Sequence, residues 1–312
     1  MVARTVLSMW LVSLAAATAQ DNSAAGHTRR SDVIYGRKDG VALTLEILTP
    51  RTPNGLGVVW VVSGNGISSR EQTLQPSFER RVSPLLDRGY TVFAAIHGSS
   101  PRFQLQDQTA DIRRAVRFVR HHAGEYGIDG RRLAISASSS GGLLALNVAM
   151  QGKDGDPAAA DPVERESSRV QAAACFFPPT DLVHFGEGSR NVLDCMKQTY
   201  GVVDPTFQFY DVDAKTGART LIEDRDRLLR MLREFSPVAN VTAAAPPTLL
   251  IHGDNDTAVS IQQSRRLMES LNKANVAARL VVREGKGHAW PGWEADASLV
   301  AEWFDQQLRP AR

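Results

Sequence analysis

The sequence predicts an α/β fold in which a mostly parallel sheet carries helices on both faces. The chain has 312 residues, enough for one large domain with a sizeable core. Short apolar runs recur along it, such as GVVWVV at 57–62, and continuous runs of this kind are typical of strands buried on both faces. Stretches with helical periodicity separate these runs, and alternation of strand and helix is typical of a parallel sheet.

The N-terminal residues have the pattern of a secretory signal peptide, predicted at 1–19. Arg4 supplies a positive charge, residues 6–17 supply an apolar run, and Ala17-Thr18-Ala19 supplies a small-residue cleavage site. We therefore expect cleavage after Ala19 and a secreted or periplasmic protein, with an uncleaved N-terminal anchor as the alternative. No later segment is apolar over the length of a membrane span.

The mature chain is predicted to begin with a mobile polar segment, 20–31, followed by one folded domain, 32–312. A β-hairpin is predicted at 32–48, because Asp39-Gly40 is a turn signal and the residues after it alternate between apolar and polar. Further strands are predicted at 57–62, 90–96, 132–136, 170–177, 248–251 and 277–282. Helices are predicted at 107–127, 143–150, 221–235, 259–275 and 294–308.

One segment, about 182–235, interrupts this alternation. It contains no buried apolar run of the strand type, but it does contain the charged helical stretch 221–235. A segment of this length is too long for a simple loop in a compact domain. We predict that it is an inserted cap over the carboxyl edge of the sheet.

The charge balance and the cysteines exclude several classes of function. Lysine and arginine number 36 against 34 acidic residues, a formal net charge of +2, which gives no basis for a nucleic-acid partner or an anionic membrane surface. Cysteine and histidine show no metal-site spacing. Cys175 and Cys195 are the two cysteines, and the sequence leaves open whether they form a disulfide. The oligomeric state is also open.

Three consecutive serines, Ser138 to Ser140, connect a predicted strand directly to a predicted helix. A strand–turn–helix with small residues around a serine is the nucleophile elbow, of pattern G-x-S-x-G. The stretch from Ala137 to Gly141 fits this pattern as A-x-S-x-G, with Ser139 as the nucleophile. The turn is sharp, so the positions two residues away must be small. Ser138 fits the pattern less well, because its flanking positions would both be serines.

A serine nucleophile needs a base to take its proton, and the base needs an acid to orient it. Of the seven histidines, His288 follows the last predicted strand in a glycine-rich loop, Gly-Lys-Gly-His, and is the predicted base. Asp254 and Asp256 follow the strand at 248–251. Either can be the acid, and the other is expected to cap the next helix.

An oxyanion hole requires backbone N–H groups beside the nucleophile. Ser140 follows Ser139 at the start of the predicted helix, where N–H groups have no helical partner. The second donor is expected in the loop after the strand at 57–62, at Gly64 or Asn65, where neighbouring glycines let the backbone turn inward.

These motifs resemble the α/β-hydrolase fold. They are most similar to hormone-sensitive-lipase-like and feruloyl/acetyl-xylan-esterase-like carboxylesterases, near the prolyl-oligopeptidase-type hydrolases. The serine turn resembles the family's G-x-S-A-G-G, and GKGHAW resembles the G-x-G-H loop around the base. The stretch PPTLLIHGDNDTAVS resembles P-T-L-x-x-H-G-x-x-D-x-x-V-P, and this likeness favours Asp256 over Asp254 as the acid. Several positions depart from the pattern: Ser63 replaces the histidine of the H-G-G-G oxyanion loop, Ala137 replaces the first glycine of the elbow, and Ser140 replaces the alanine after the nucleophile.

The resemblance implies an exported serine hydrolase that cleaves carboxylic esters through an acyl-enzyme, with Ser139, His288 and Asp256 as the triad. It implies neither a metal nor an organic cofactor. Its expected substrates are short acyl esters of small alcohols or carbohydrates. Two alternatives remain: a prolyl-oligopeptidase-type serine peptidase, and a non-catalytic binding protein on a hydrolase scaffold.

Overall fold

The computed structural model describes residues 20–22, 26–186, 190–213 and 215–309, so the predicted signal peptide lies outside the described residues. Its strands are β1 (Gln20–Asn22), β2 (His27–Lys38), β3 (Val41–Pro50), β4 (Gly57–Val62), β5 (Thr91–Ile96), β6 (Leu133–Ser138), β7 (Ala172–Phe176), β8 (Tyr210–Val212), β9 (Arg219–Leu221), β10 (Thr248–Gly253) and β11 (Ala278–Arg283). Its helices are α1 (Arg70–Thr73), α2 (Pro76–Asp87), α3 (Leu105–His121), α4 (Ser139–Met150), α5 (Val192–Tyr200), α6 (Arg225–Glu234), α7 (Gln262–Lys273) and α8 (Ala297–Leu308).

Most of these strands form one sheet, which has the order β1-β2-β3-β5-β4-β6-β7-β10-β11 within the described residues. Pairing is antiparallel from β1 to β5 across β2 and β3, and parallel from β5 to β11. The predicted mostly parallel sheet is confirmed, as is the hairpin that turns at Asp39-Gly40. The carboxyl ends of the parallel strands lie along one edge, which is where ligands bind in sheets of this type.

Helices cover both faces of the sheet, and the side chains of β4 show why its apolar run is continuous. Val59 and Val61 belong to the core beneath α3, α4 and α7, whereas Val58 and Trp60 belong to the core beneath α2 and α8. Successive side chains of a strand point to opposite faces, so a strand between two cores must be apolar at every position. All six residues of β4 are buried.

The long segment between β7 and β10 contains α5, the hairpin β8–β9 and α6, which is the position predicted for the cap. We call residues 190–213 and 215–235 the cap. Leu182 just before it, and Phe209 and Leu232 within it, are fully buried and belong to the same apolar cluster as α3 and α4. The cap is therefore anchored to the main core through its own apolar side chains.

The prediction of a mobile segment at 20–31 is wrong for its described part. Strand β2 begins at His27, and β1 pairs with it. The cause is a buried ion pair: Arg29 Nη1 lies 3.1 Å from Glu46 Oε2, and the Glu46 side chain is fully buried. Ser31 Oγ and the Asp32 N–H also donate to the Glu46 carboxylate. The sequence of this strand is polar and gives no strand signal, because the residue that pairs with Arg29 lies on a different strand, β3.

Several helices also differ from the predictions, and the sequence did not predict α1 or α5. Helix α2 was not predicted; it begins at Pro76, a favourable first position for a helix, and buries Phe78 and Val82. Helix α4 begins at Ser139, four residues before the predicted start. On α3, two arginines form ion pairs: Arg114 and Arg117 both pair with Glu164.

Two further observations bear on the sequence predictions. Cys175 and Cys195 are free thiols, and Cys175 is fully buried. Within the described residues, no helix combines the length and apolar character that a membrane crossing needs.

Removing the Glu46 carboxylate should destabilise the fold, because Arg29 would keep its charge in a buried site with only the more distant carboxylate of Glu79, 3.9 Å away, as its counter-ion. We expect Glu46→Ala to lower the free energy of unfolding by about 3 kcal/mol. Glu125→Ala is the matched control, since Glu125 pairs at 2.7 Å with Arg30 but both side chains are exposed. Its expected loss is below about 1 kcal/mol. Urea denaturation of the variants measures the difference, and equal losses would contradict the explanation.

Candidate active site

Ser139 stands apart from its neighbours by its backbone. Strand β6 ends at Ser138 and α4 begins at Ser139, so the chain reverses from strand to helix with no loop between them. Ser139 has φ +51°, in the left-handed region that non-glycine residues seldom occupy, whereas Ser138 has an ordinary extended φ of −128°. A strained serine at this position is the geometry of a nucleophile elbow.

The small residues around this turn are required by contact distances. A Cβ at Gly141 would lie 3.0 Å from the Val61 carbonyl oxygen and 3.3 Å from the Ala137 Cβ. A Cβ at Gly142 would lie 2.9 Å from the Pro178 Cβ. Ala137 is tolerated in place of the usual glycine because the residue facing it, Gly141, has no side chain.

The structure brings Ser139, His288 and Asp256 into one chain of contacts. Ser139 Oγ lies 3.0 Å from His288 Nε2, and His288 Nδ1 lies 2.7 Å from Asp256 Oδ2. The Asp256 side chain is fully buried, whereas that of His288 is 26% exposed. The imidazole of His288 therefore contacts the buried carboxylate of Asp256 through Nδ1 and the hydroxyl of Ser139 through Nε2.

The two aspartates after β10 have separate contacts. Asp256 Oδ1 accepts hydrogen bonds from the N–H groups of Ala258 (2.9 Å) and Val259 (2.8 Å), which leaves Oδ2 for His288. Asp254 Oδ1 accepts from the Gly285 N–H at 2.7 Å. Asp254 therefore braces the loop that carries His288. The expectation that it caps the following helix is wrong.

The contacts of Asp256 keep its carboxylate ionised. Burial by itself raises the pKa of this group, but hydrogen bonds from His252, His288 and the Val259 N–H outweigh burial and hold the pKa well below its usual range. The carboxylate therefore stays charged throughout the pH range in which a histidine changes its protonation.

His252 is a residue of the site that the sequence analysis left out. It is fully buried at the end of β10. Its Nδ1 lies 2.7 Å from Ser264 Oγ, and its Nε2 lies 2.8 Å from the Val259 carbonyl oxygen and 3.2 Å from Asp256 Oδ2. The available signal was a histidine ending a buried apolar run, four residues before the candidate acid.

An aromatic side chain also contacts the imidazole. Phe177 directly follows β7 with φ +36°, and its ring centre lies 4.5 Å from that of His288. Trp290 and Trp293 pack on the other sides of the Phe177 ring, at 5.8 and 5.1 Å. The imidazole thus lies against a packed aromatic wall.

In the loop after β4, the N–H group of Gly64 differs from its predicted role as an oxyanion donor. The Gly64 N–H donates to the Ile67 carbonyl at 2.8 Å, so it is engaged within the loop and does not point to Ser139 as a free donor. Among the residues that the structure describes, neither the Asn65 N–H nor the Ser140 N–H has a protein acceptor. Asn65 has φ +50° and lies in the turn that the bridge between Gly64 and Ile67 closes.

The same loop is held from the outside by the cap. The Gly66 carbonyl accepts from the Ser100 N–H (3.0 Å) and from Gln108 Nε2 (3.1 Å). Thr206 of the cap lies so close that a Cβ at Gly66 would sit 1.9 Å from its Oγ1, and this Oγ1 is 3.0 Å from Ser100 Oγ. Position 66 must therefore be glycine on two grounds, its φ of +70° and the approach of the cap.

Known families and proteins share sequence with this chain. The BD-FAE family profile matches residues 45–271, well over half of the chain, and a TAP-like protein profile matches residues 232–312. The chain is 27% identical over 194 residues to the probable carboxylic ester hydrolase LipM of Mycobacterium tuberculosis (strain ATCC 25618 / H37Rv), covering 62% of this chain and 40% of LipM. It is 25% identical over 249 residues to the esterase LipQ of the same organism, covering 80% of this chain and 49% of LipQ. The chain therefore spans less than half the length of these curated relatives.

Solved structures share the architecture. A truncated carbohydrate esterase from gut microbiota superposes with a TM-score of 0.70 at 20% identity, over 89% of this chain and 95% of that one. A propionate-bound thermophilic esterase from the Planctomycetes species Thermogutta terrifontis superposes with a TM-score of 0.65 at 24% identity, over 92% and 97%. These likenesses confirm the predicted fold class. The chain has the α/β-hydrolase fold, is homologous to carboxylic ester hydrolases, and belongs to the BD-FAE family.

Proposed function

We propose that this protein is a serine carboxylesterase that works through an acyl-enzyme. The observation that carries the proposal is the contact chain from Ser139 Oγ through His288 to Asp256, built on a strained turn. The names of its homologues, which are carboxylic ester hydrolases and esterases, support the same chemistry. A non-catalytic binding protein would have no need for a nucleophile held in an unfavourable backbone conformation.

In the proposed first half-reaction, Ser139 Oγ attacks the ester carbonyl carbon as its proton passes to His288 Nε2. Asp256 accepts the Nδ1–H of His288, which fixes the tautomer that leaves Nε2 free and stabilises the imidazolium. The tetrahedral intermediate collapses, the C–O bond to the alcohol breaks, and His288 returns its proton to the leaving oxygen. Water then attacks the acyl-enzyme by the same route, releasing the acid and restoring Ser139.

The negative oxygen of the intermediate is proposed to bind the N–H groups of Ser140 and Asn65. Ser140 lies in the first turn of α4, where the N–H groups have no helical carbonyl and the helix dipole favours negative charge. Asn65 approaches from the loop after β4. Fixed donors of this kind are among the largest contributions to acyl transfer.

Ser63 and Ser140 connect the two sources of these donors. Their hydroxyl oxygens lie 3.4 Å apart, one on the loop and one on the helix. Both positions depart from the family pattern, which has histidine and alanine there, and in this chain they carry a pair of hydroxyls. We propose that this pair aligns the loop with the helix.

The proposed substrates are short acyl esters of small alcohols or carbohydrates. Support comes from the structural neighbours, one named a carbohydrate esterase and another solved with propionate bound. The rival activity on this site is peptide hydrolysis, which uses the same nucleophile and differs in the leaving group.

Ser139→Ala should abolish hydrolysis of p-nitrophenyl acetate and butyrate, because Ser139 supplies the hydroxyl that lies 3.0 Å from His288 Nε2. The expected loss in kcat is about a millionfold. Ser138→Ala is the matched control and should keep most of the activity. Full activity of Ser139→Ala would refute the assignment of the nucleophile. A parent that cleaves only p-nitroanilide peptides is a peptidase, and one that cleaves neither and resists a serine-directed phosphonate is a binding protein.

The hydroxyl pair is tested by a double-mutant cycle on kcat/KM. Ser63→Ala and Ser140→Ala should each lower kcat, with little change in KM, because the oxyanion donors matter most in the transition state. The double variant should lose no more than the larger single loss. Losses that multiply would mean that the two hydroxyls act independently.

We also propose that the protein is exported, on the basis of the signal pattern at 1–19. Expression of the full chain with its own N-terminus should yield a mature protein that begins at Gln20. Intact mass measurement of the secreted or periplasmic fraction checks the site. A protein that keeps Met1 in the membrane fraction would instead favour the uncleaved anchor.

A further inference from the structure

The carboxylate of Asp256 has two histidine neighbours, and only His288 has a part in the proposed mechanism. The second, His252, reaches the same oxygen, Oδ2. Both histidines and the acid come from one end of the sheet: His252 from β10, Asp256 from the loop after it, and His288 from the loop after β11.

The contacts of His252 determine where its proton lies. Nε2 faces two oxygens that can only accept, the Val259 carbonyl at 2.8 Å and Asp256 Oδ2 at 3.2 Å, so Nε2 must carry hydrogen. Nδ1 faces the Ser264 hydroxyl at 2.7 Å, which can donate to it. A neutral imidazole with its hydrogen on Nε2 satisfies every one of these contacts, and the Ser264 hydroxyl favours this tautomer.

Few other groups near His252 carry charge. On β11 the residue opposite it is Val282, and on the β7 side Phe176 pairs with the preceding residue, Ile251. Helix α7 presents Ser264. Asp256 is the charged group in contact, with His288 beyond it. Nearby charges are engaged elsewhere: Asp254 with the Gly285 N–H, Arg283 with Asp296, and Asp181 with His184 and Arg266.

We propose that His252 is a positioning residue for the acid: its Nε2–H holds Asp256 Oδ2 at the place and in the charge state that His288 requires. The inference rests on the proposed function. It extends the hydrogen-bonded triad by two residues, His252 and Ser264. The two backbone donors on Oδ1 fix one oxygen of the carboxylate, and His252 fixes the other. Without His252, the sole donor on Oδ2 would be the catalytic histidine itself.

His252→Leu removes this donor and should lower kcat by about tenfold to a hundredfold, the effect of a small misplacement of a catalytic group. KM should change little. With one donor fewer, the carboxylate becomes more basic and holds the imidazolium of His288 more strongly. The acid limb of the kcat/KM profile should therefore move to higher pH. Loss of folding alone would lower the active fraction and leave the limb in place.

Two variants separate positioning from folding. His252→Gln carries an amide nitrogen near the position of Nε2, and should restore the limb to its position in the parent. His184→Leu is the matched control, because His184 also pairs with an aspartate, Asp181, at 3.1 Å, and within the described residues this pair makes no hydrogen bond to Ser139, His288 or Asp256. It should not move the limb. Titration with a serine-directed phosphonate counts active sites in each preparation.

The route through Asp256 is tested by combining His252→Leu with Asp256→Asn. If His252 acts through the acid, the double variant should be no slower than Asp256→Asn alone. Full activity of Asp256→Asn would overturn the proposed function itself. An inactive Asp256→Asn together with an unmoved limb in His252→Leu would overturn this inference and leave the proposed function intact.

Discussion

The site depends on one buried charge, the carboxylate of Asp256. Taking a carboxylate out of water costs several kcal/mol unless donors replace the water. Here two backbone N–H groups bind Oδ1, and two imidazoles face Oδ2. These donors come from the end of β10, from the loop after it and from the loop after β11. The end of β10 and the loop after β11 pack so closely that a Cβ at Gly253 would lie 2.2 Å from the Lys286 carbonyl oxygen. The buried carboxylate of Asp256 is therefore stabilised only when these segments are packed together.

The sequence predicts the parts of this molecule that have local signals. Buried apolar runs predicted the parallel strands, and the small residues around Ser139 identified the turn, because both depend on neighbours in the chain. Contacts between distant segments left no such signal. The strand at His27 depends on Glu46, which lies on β3. Within a single loop, the bond from the Gly64 N–H to the Ile67 carbonyl left no signal either, because it depends on the way the loop folds on itself. The sequence shows that a histidine lies at position 252. It does not show that His252 contacts Asp256, because that contact depends on how the chain turns between the two residues.

The cap is coupled to the chemistry through the loop after β4. Thr206 reaches both Gly66 and Ser100, and Ser100 in turn donates to the Gly66 carbonyl. The position of the proposed oxyanion donor at Asn65 therefore depends on contacts made by the cap as well as by the sheet. Because the cap contacts this loop, changes in the cap can alter kcat through the position of the proposed donor.

Backbone strain is concentrated where the chemistry is proposed. Of the seven non-glycine residues with positive φ in the described part of the chain, four lie at this site: Asn65, Ser139, Phe177 and Ala289. Each such residue costs on the order of 1–3 kcal/mol and persists only where its surroundings fix it. Phe177, for example, follows β7 and donates its N–H to the Ile251 carbonyl of β10 at 2.8 Å. These four positions follow parallel strands of the sheet. Their strained backbone leaves little freedom to relax at the proposed nucleophile, the proposed oxyanion donor, the aromatic wall and the residue after the proposed base. That rigidity is what an oxyanion hole requires, because donors that are already in place do not have to reorganise as charge develops.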